Sequence, residues 1–395
     1  MTDAPRPEPD TGAGPPTDDE AGVATPAAAP PRRRRHLRRL LRGRLRPALA
    51  AAVAGAVLAG TAVAWQAGAG PFAEDRVCWD ALERDSLSPI IDDPDELDAA
   101  ELPPVGGRTP GDGRQAVCRL SHDGERMTET LFTARLHELG GDRNGASGKW
   151  AEEFLSGRMS PLGGGLLGMA SDERAWLAIP DGCLGPPRVE GPTVVDVSGP
   201  FLSRGGKVDT GRRDALARIV VDLVNAVGSD LGCGGTIADP VAGMPRPPRY
   251  TDHESGAFCG VDGLRAPPGR RDDDSRFLVT PGHGPVRTCD QYQLDHERDL
   301  RLTTVEDPRL ARIYRDELRH GGARIDGGAD YGSLDEYAGV FGATCQTGRV
   351  VFLVRAEGSD DHANQVRELL PRYVEAEARR LGCGSPTLRL PPDPT

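Results

Sequence analysis

Eight cysteines and eight histidines are the residues of this 395-residue chain best equipped for chemistry. The histidines are His36, His122, His137, His253, His283, His296, His320 and His362. No two of them stand four apart with a glutamate between, so the helical zinc-protease pattern is missing, and "QLDHERD" around His296 imitates it only loosely. No CxxC occurs, which removes the dithiol redox pair and the zinc knuckle. "GGDRNGASGKW" (140–150) imitates a phosphate loop, but its glycine spacing is wrong and Trp150 stands where a magnesium-binding hydroxyl should be. Neither a GxSxG elbow nor an SxxK is found. The acidic runs "DDPDELDAAE" (92–101) and "RRDDDSR" (270–276) lack the alternating oxygens and turn glycine of a calcium loop. No catalytic, cofactor-binding or metal-binding residue and no cofactor is expected.

The cysteines therefore read as staples. They are Cys78, Cys118, Cys183 and Cys233, then Cys259, Cys289, Cys345 and Cys383. Successive intervals are 40, 65 and 50 in the first set and 30, 56 and 38 in the second. Their contexts match in order: "RVCWDAL" with "AFCGVDGL", "RQAVCRL" with "GPVRTCDQ", "SDERAWLAIPDGC" with "SLDEYAGVFGATC", and "SDLGCGG" with "ARRLGCGS". Four matches in one order point to two divergent tandem copies. Four cysteines allow three pairings per copy. The expected set is Cys78–Cys118, Cys183–Cys233, Cys259–Cys289 and Cys345–Cys383, since a helix packed across a sheet brings its end back to a strand end.

These staples need elements to hold. In the first copy, "CWDALERD" (78–85) is a helix candidate, as is "KWAEEFLS" (149–156). Segments 115–121, 126–136, 173–179 and 193–199 read as strands. Residues 212–231 place Leu216, Ile219, Val220, Leu223, Val224, Val227 and Leu231 on one helical face. The second copy follows suit, with strands at 285–291, 298–306, 336–342 and 348–355. A helix at 307–320 opens with Asp307 as N-cap and Pro308 behind it. A last helix runs from about 359 to 381 with Val366, Leu369, Leu370, Tyr373 and Val374 on its apolar face, and Pro371 should kink it or delay its start. Each LGCG then reads as a helix stop, with glycine as the left-handed cap. The fold class is α+β: two tandem α-β-β-α-β-β-α units with antiparallel sheets, two disulfides each, after one transmembrane helix. "PLGGGLLGMAS" (161–171) and "GGARIDGGADYGS" (321–333) fall at the same place in both copies. They read as flexible connections, with a ligand lid as the sharper alternative. Trp79, Trp150 and Trp176 read as packing residues.

Residues 1–31 hold almost no large apolar side chain and are expected to be a disordered cytoplasmic tail. Nine arginines follow within 32–47, beside the uncharged run "ALAAAVAGAVLAGTAVAW". Residues 48–70 are long enough to cross a bilayer. The flanking arginines set the N-terminus inside and everything after about residue 70 outside. Secretion after cleavage near Ala64 is the alternative. All eight cysteines lie on the exported side, as an oxidising compartment permits. Repeat one spans 74–235, a Pro-rich linker 236–254, repeat two 255–386, and a tail 387–395. Residues 1–47 carry a net +4 and the remainder −16, which disfavours nucleic acid and other polyanions as partners. Only Lys149 and Lys207 are lysines, so nearly every cation is an arginine, as codon bias in a GC-rich genome would give.

The layout of residues 32–386, with Cys78-Trp79, Asn225 and the LGCG stops, resembles single-pass membrane or secreted proteins of actinomycete-type bacteria. It is more faintly similar to cysteine-paired lipoproteins of the DUF3558 kind and to sensor ectodomains of bacterial serine/threonine kinases. It departs from the lipoproteins in lacking a lipobox cysteine and from the kinases in lacking a kinase domain. The resemblance implies an envelope location and carries over no catalytic residue. The expected function is a non-enzymatic, membrane-anchored extracellular tandem domain that binds an envelope protein or small ligand, held to membrane lipid by 48–70. A purely structural component of a membrane complex is a further reading, and the enzymatic alternative is a hydrolase with an unrecognised site.

Overall fold

The computed structural model describes residues 76–102, 116–124, 128–140, 146–184, 191–200, 208–252, 257–266, 275–292, 298–357 and 362–392. The expected tail 1–31, Arg-rich segment 32–47 and span 48–70 lie outside the described residues. Among the described residues no helix is long and apolar enough to cross a membrane.

The chain is mixed α+β, with two seven-stranded antiparallel sheets and four disulfides. A two-stranded hairpin, β1 (Arg76–Val77) with β2 (Leu82–Glu83), precedes the first sheet. That sheet holds β3 (Asp98–Leu102), β4 (Ala116–Asp123), β5 (Thr128–Glu138), β6 (Ser160–Pro161), β7 (Gly168–Ala170), β8 (Arg174–Ala178) and β9 (Thr193–Ser198). The second holds β10 (Arg276–Val279), β11 (Val286–Tyr292), β12 (Arg298–Val305), β13 (Ala323–Gly327), β14 (Asp330–Leu334), β15 (Ala338–Cys345) and β16 (Gly348–Ala356). Their spatial orders are β3-β4-β5-β9-β8-β7-β6 and β10-β11-β12-β16-β15-β14-β13, the same path walked twice. Helices α1 (Ala146–Phe154), α2 (Asp181–Leu184) and α3 (Thr210–Asp230) belong to the first half, and α4 (Arg315–His320) and α5 (His362–Arg380) to the second.

Period-two alternation sends each strand's side chains to two different cores. On the first sheet, Phe132, Ala134, Leu136, Val195 and Val197 pack under α3 with its Leu216, Ile219, Val220, Leu223, Val224 and Val227. On the second, Leu300, Leu302, Phe352 and Val354 pack under α5 with its Val366, Leu369, Leu370, Tyr373 and Val374. The opposite faces meet in a third core shared by both halves. Trp150, Phe154, Trp176 and Val194 come from the first half, and Val286, Val305, Tyr314, Val351 and Leu353 from the second. Trp150 stacks on Phe154 and meets Trp176 edge-on, each at 5.3 Å between centroids.

Polar contacts close the same seam. The C-terminal carbonyls of a helix have no partner within it. Those of α1 and the turn after it are met by the second sheet: Arg301 donates to Glu152 O (2.7 Å) and the Thr288 hydroxyl to Leu155 O (2.6 Å). Gly157 N–H donates to Asp290 (2.7 Å), and Asp290 is itself gripped by Arg301. A Cβ on Gly157 would stand 2.3 Å from Leu278 O, so only glycine fits where the halves touch. The Pro-rich segment between the halves is pinned along its length: Asn225 exchanges two hydrogen bonds with Ile237, Arg213 donates to Pro245 O, and Thr251 bridges to Phe277.

Several local readings need correction. Of the expected helix 78–85, residues 78–83 are not helical, and only a 3-10 turn (Arg84–Leu87) follows them. Cys78, Trp79 and Asp80 all take left-handed backbone (φ 55°, 65° and 58°) between β1 and β2. Eight residues are too few to hold a helix unaided, and distant partners win: a disulfide to Cys118 and a carboxylate, Glu101, that accepts from Cys78 and Trp79 N–H. In place of the α-β-β-α-β-β-α order, the first half runs strands β3–β5, α1, strands β6–β8, the short α2, strand β9 and the long α3. The glycine-rich segments are hairpins, β6–β7 and β13–β14, at the same edge of each sheet. The acidic run 92–101 supplies edge strand β3. The 307–320 helix begins as a 3-10 turn (Leu310–Tyr314), with Asp307 accepting from Arg309 and Leu310 N–H, before α4. Both LGCG stops are Schellman caps. Gly232 and Gly382 have φ of 73° and 68°, and the cysteine N–H that follows donates to Gly228 O and Ala378 O, each at 2.8 Å. Pro371 lies within α5.

Candidate functional site

The strongest candidate is a cleft of about 640 Å³ in the first half, between the left-handed turn and the outer face of α3. One wall is Arg76, Trp79, Asp80 and Glu83; the other is Asp222, Asn225, Ser229 and Asp230. The helix residues recur at the three- and four-residue spacing that keeps them on one face, beside the stripe buried on the sheet. The turn wall is firmly built. Glu101 takes the two N–H groups at 2.5 and 2.9 Å, and the Trp79 indole donates to Leu102 O at 3.1 Å. Successive N–H groups of this kind form an anion nest, and the chain's own carboxylate occupies it. Left-handed residues other than glycine cost roughly 1–3 kcal/mol each and persist only where the surroundings dictate them.

Four carboxylates and one guanidinium face this space, giving it a net negative charge. Asp222 shows the consequence. Burial pushes its carboxyl above the ordinary range, Asp239 and Glu83 add to the rise, and Arg76 and Arg218 oppose it. Asp222 and Asp230 make no ion pair among the described residues. Asn225 lines the cleft and also clamps Ile237, so it ties the wall to the segment joining the halves.

The histidines are dispersed. His137 Nε2 lies 2.5 Å from Asp196, a fully buried carboxylate that also accepts from Arg135 (2.8 Å) and the Trp150 indole (3.0 Å). Three donors on one carboxylate make an anchor for the inner face of the first sheet. His283 borders a groove of about 310 Å³ against the β6–β7 turn, His320 ends α4, and His122 is exposed on β4. His36, His253 and His296 lie outside the described residues. Cys78, Cys118 and Glu101 cluster within metal-ligand distance, but both sulfurs are spent in a disulfide and Glu101 in the nest, so they do not fit a metal ion. The structure pairs Cys78 with Cys118, Cys183 with Cys233, Cys259 with Cys289 and Cys345 with Cys383, and leaves no described cysteine free. Trp79, Trp150 and Trp176 are at most 9 % exposed; Trp150 and Trp176 pack in the core shared by the halves, and Trp79 packs in the first core while lining the cleft.

Sequence reasoning missed the cleft. Asp222 and Asp230 lie off the apolar stripe of the 212–231 helix, where acidic residues are ordinary, and nothing local announces the turn opposite them. No protein-family model, curated protein or solved structure matches the chain.

Proposed function

We propose that this chain is a membrane-anchored envelope protein whose exported region binds a ligand or partner without transforming it, and that the ligand seats in the cleft beside the 78–80 turn. The observation that carries the reading is the cleft itself: a concave space of about 640 Å³ with one wall fixed by a disulfide and a carboxylate nest. Its carboxylates favour a ligand that presents positive charge, such as a basic segment of a partner protein. The arginine-flanked apolar run and the restriction of cysteines to the exported side support the location. The identical strand order of the two sheets supports tandem duplication as the origin. A hydrolase reading would begin at His137 and Asp196, but Asp196 already serves three donors.

The test uses the full-length chain in detergent micelles and a tri-arginine peptide in calorimetric titration. Saturable binding is expected, weakened about tenfold by Asp222→Asn with Asp230→Asn. No saturable binding, or binding indifferent to both substitutions, overturns the reading. For topology, an epitope at the C-terminus should be reached by antibody on intact cells; an epitope reached only after lysis contradicts it.

A further inference from the structure

The second half carries a pocket of opposite character. Strand β13 is last in the order of its sheet, its outer side bridged at Asp326 by two backbone hydrogen bonds with Arg389, and the β13–β14 hairpin receives the end of α4. The contact is close: Ser333 donates to Glu317 O at 2.5 Å, and a Cβ on Gly321 would stand 2.6 Å from that same carbonyl oxygen. Between helix end and hairpin lies a pocket of about 390 Å³ lined by Leu318, Arg319, His320, Arg324, Tyr331 and Gly332. No lining residue is acidic. The side chains of Arg319, His320 and Arg324 make no ion pair or hydrogen bond among the described residues. Behind the Tyr331 ring stands another cation, the Arg349 guanidinium at 4.5 Å from the centroid. Ile325 and Leu334 turn to the opposite face and bury under α5, so alternation along the hairpin holds Arg324 and Tyr331 on the pocket side; Asp326, paired with Tyr331, shares that face and accepts from Gly328 N–H.

We infer that this pocket seats a small phosphate-bearing ligand. Guanidinium groups match phosphate oxygens with paired N–H donors, and here two of them, from a helix end and a strand, line one pocket with Tyr331. The volume suits a small ester. On the envelope reading proposed above, the exported region as a whole selects size. Its net −16 repels a polyanion over its whole surface, whereas beyond about 8 Å physiological salt screens that field from a small ion already at the pocket.

Inorganic phosphate titrated into the full-length chain, against chloride at matched ionic strength, tests this. Saturable binding is expected, weakened about tenfold by either Arg319→Gln or Arg324→Gln and untouched by Asp222→Asn. Both arginines are exposed, so unchanged melting temperatures will show that the variants fold. Phosphate binding that survives the double arginine variant, or that never saturates, overturns the proposal. Succinate binding more tightly than phosphate overturns the assignment to phosphate.

Discussion

Beneath α3, Ala116, Leu136, Leu223 and Val227 meet as hydrocarbon, all buried. The same places beneath α5 hold Arg287, Thr304, Tyr373 and Glu377. The correspondence follows from register: Cys118 pairs with Ala134 as Cys289 pairs with Leu302, and the two LGCG stops stand 150 residues apart. In the second half, Arg287 donates to Glu377 (3.0 Å) and to Gly260 O (2.5 Å). Thr304 donates to Glu377 (3.0 Å) and meets the Tyr373 hydroxyl (2.7 Å). Arg380 also pairs with Glu377. Arg287 thus spans from the short turn at Phe258–Gly260 to the long helix, whereas the matching position in the first half is an alanine and a cleft lies between turn and helix. Outside, the contrast continues: Asp222, Ser229 and Asp230 stand where the second half has Arg372, Arg379 and Arg380, each of those arginines paired with a glutamate. One strand order tolerates either chemistry, provided every buried polar atom finds a partner.

The shared seam should couple the two halves energetically. Phe154→Ala should cost about 3–5 kcal/mol and lower the stability of both halves in one denaturant transition; two separated transitions would show the halves to be independent. Glu377→Ala strips a buried charge network of its acceptor and should cost about 3–5 kcal/mol in the same assay. Replacing Cys78 and Cys118 by alanine should cost about 2–4 kcal/mol. It should also free the 78–80 turn, read as faster amide exchange there and not at Phe258–Gly260.

Acid and base act on the second half through Glu317. Burial, with Asp335 nearby, pushes its carboxyl up to about 7 from an ordinary 4.5. Between those values the folded chain holds the proton more tightly than the unfolded one. This group's contribution is full below about 4.5 and is lost as pH rises through 7. Its side chain is 25 % exposed and Arg355 lies 3.5 Å away, so the change should be only on the order of 1 kcal/mol. Glu317→Gln should flatten that slope in denaturation curves taken across the range. Smallest of all should be the fourfold swap Arg287→Ala, Thr304→Leu, Tyr373→Leu and Glu377→Val. It installs the first half's hydrocarbon in the second and should leave stability within about 1 kcal/mol or raise it; a loss as large as that of Glu377→Ala would show that the backbone of the second half requires its ions.

What could be read from the chain alone follows the range of the forces involved. The two long helices and their glycine caps were legible because a 3.6-residue apolar stripe and a left-handed stop are local properties. The central strands were legible from β-branched runs such as "TVVDVS" and "GRVVFLVR". Edge strand β3 was not, because all five of its residues are exposed and carry no alternation. Hairpins β6–β7 and β13–β14 hid behind glycines. The 78–80 turn was illegible because Glu101 and Cys118, which impose it, are more than 20 residues away. The seam was illegible because its polar members, Asp290, Arg301 and Thr288, look like the solvated face of a strand until a second sheet covers them.

Hydrogen exchange on the full-length chain, with tri-arginine peptide and with phosphate in turn, tests most directly that the halves share a frame and differ in what they hold. The peptide should slow exchange at 76–86 and 222–230, and phosphate at 318–332, with neither protecting the other's segment. Protection of the same segment by both, or of neither segment by either, would contradict the account.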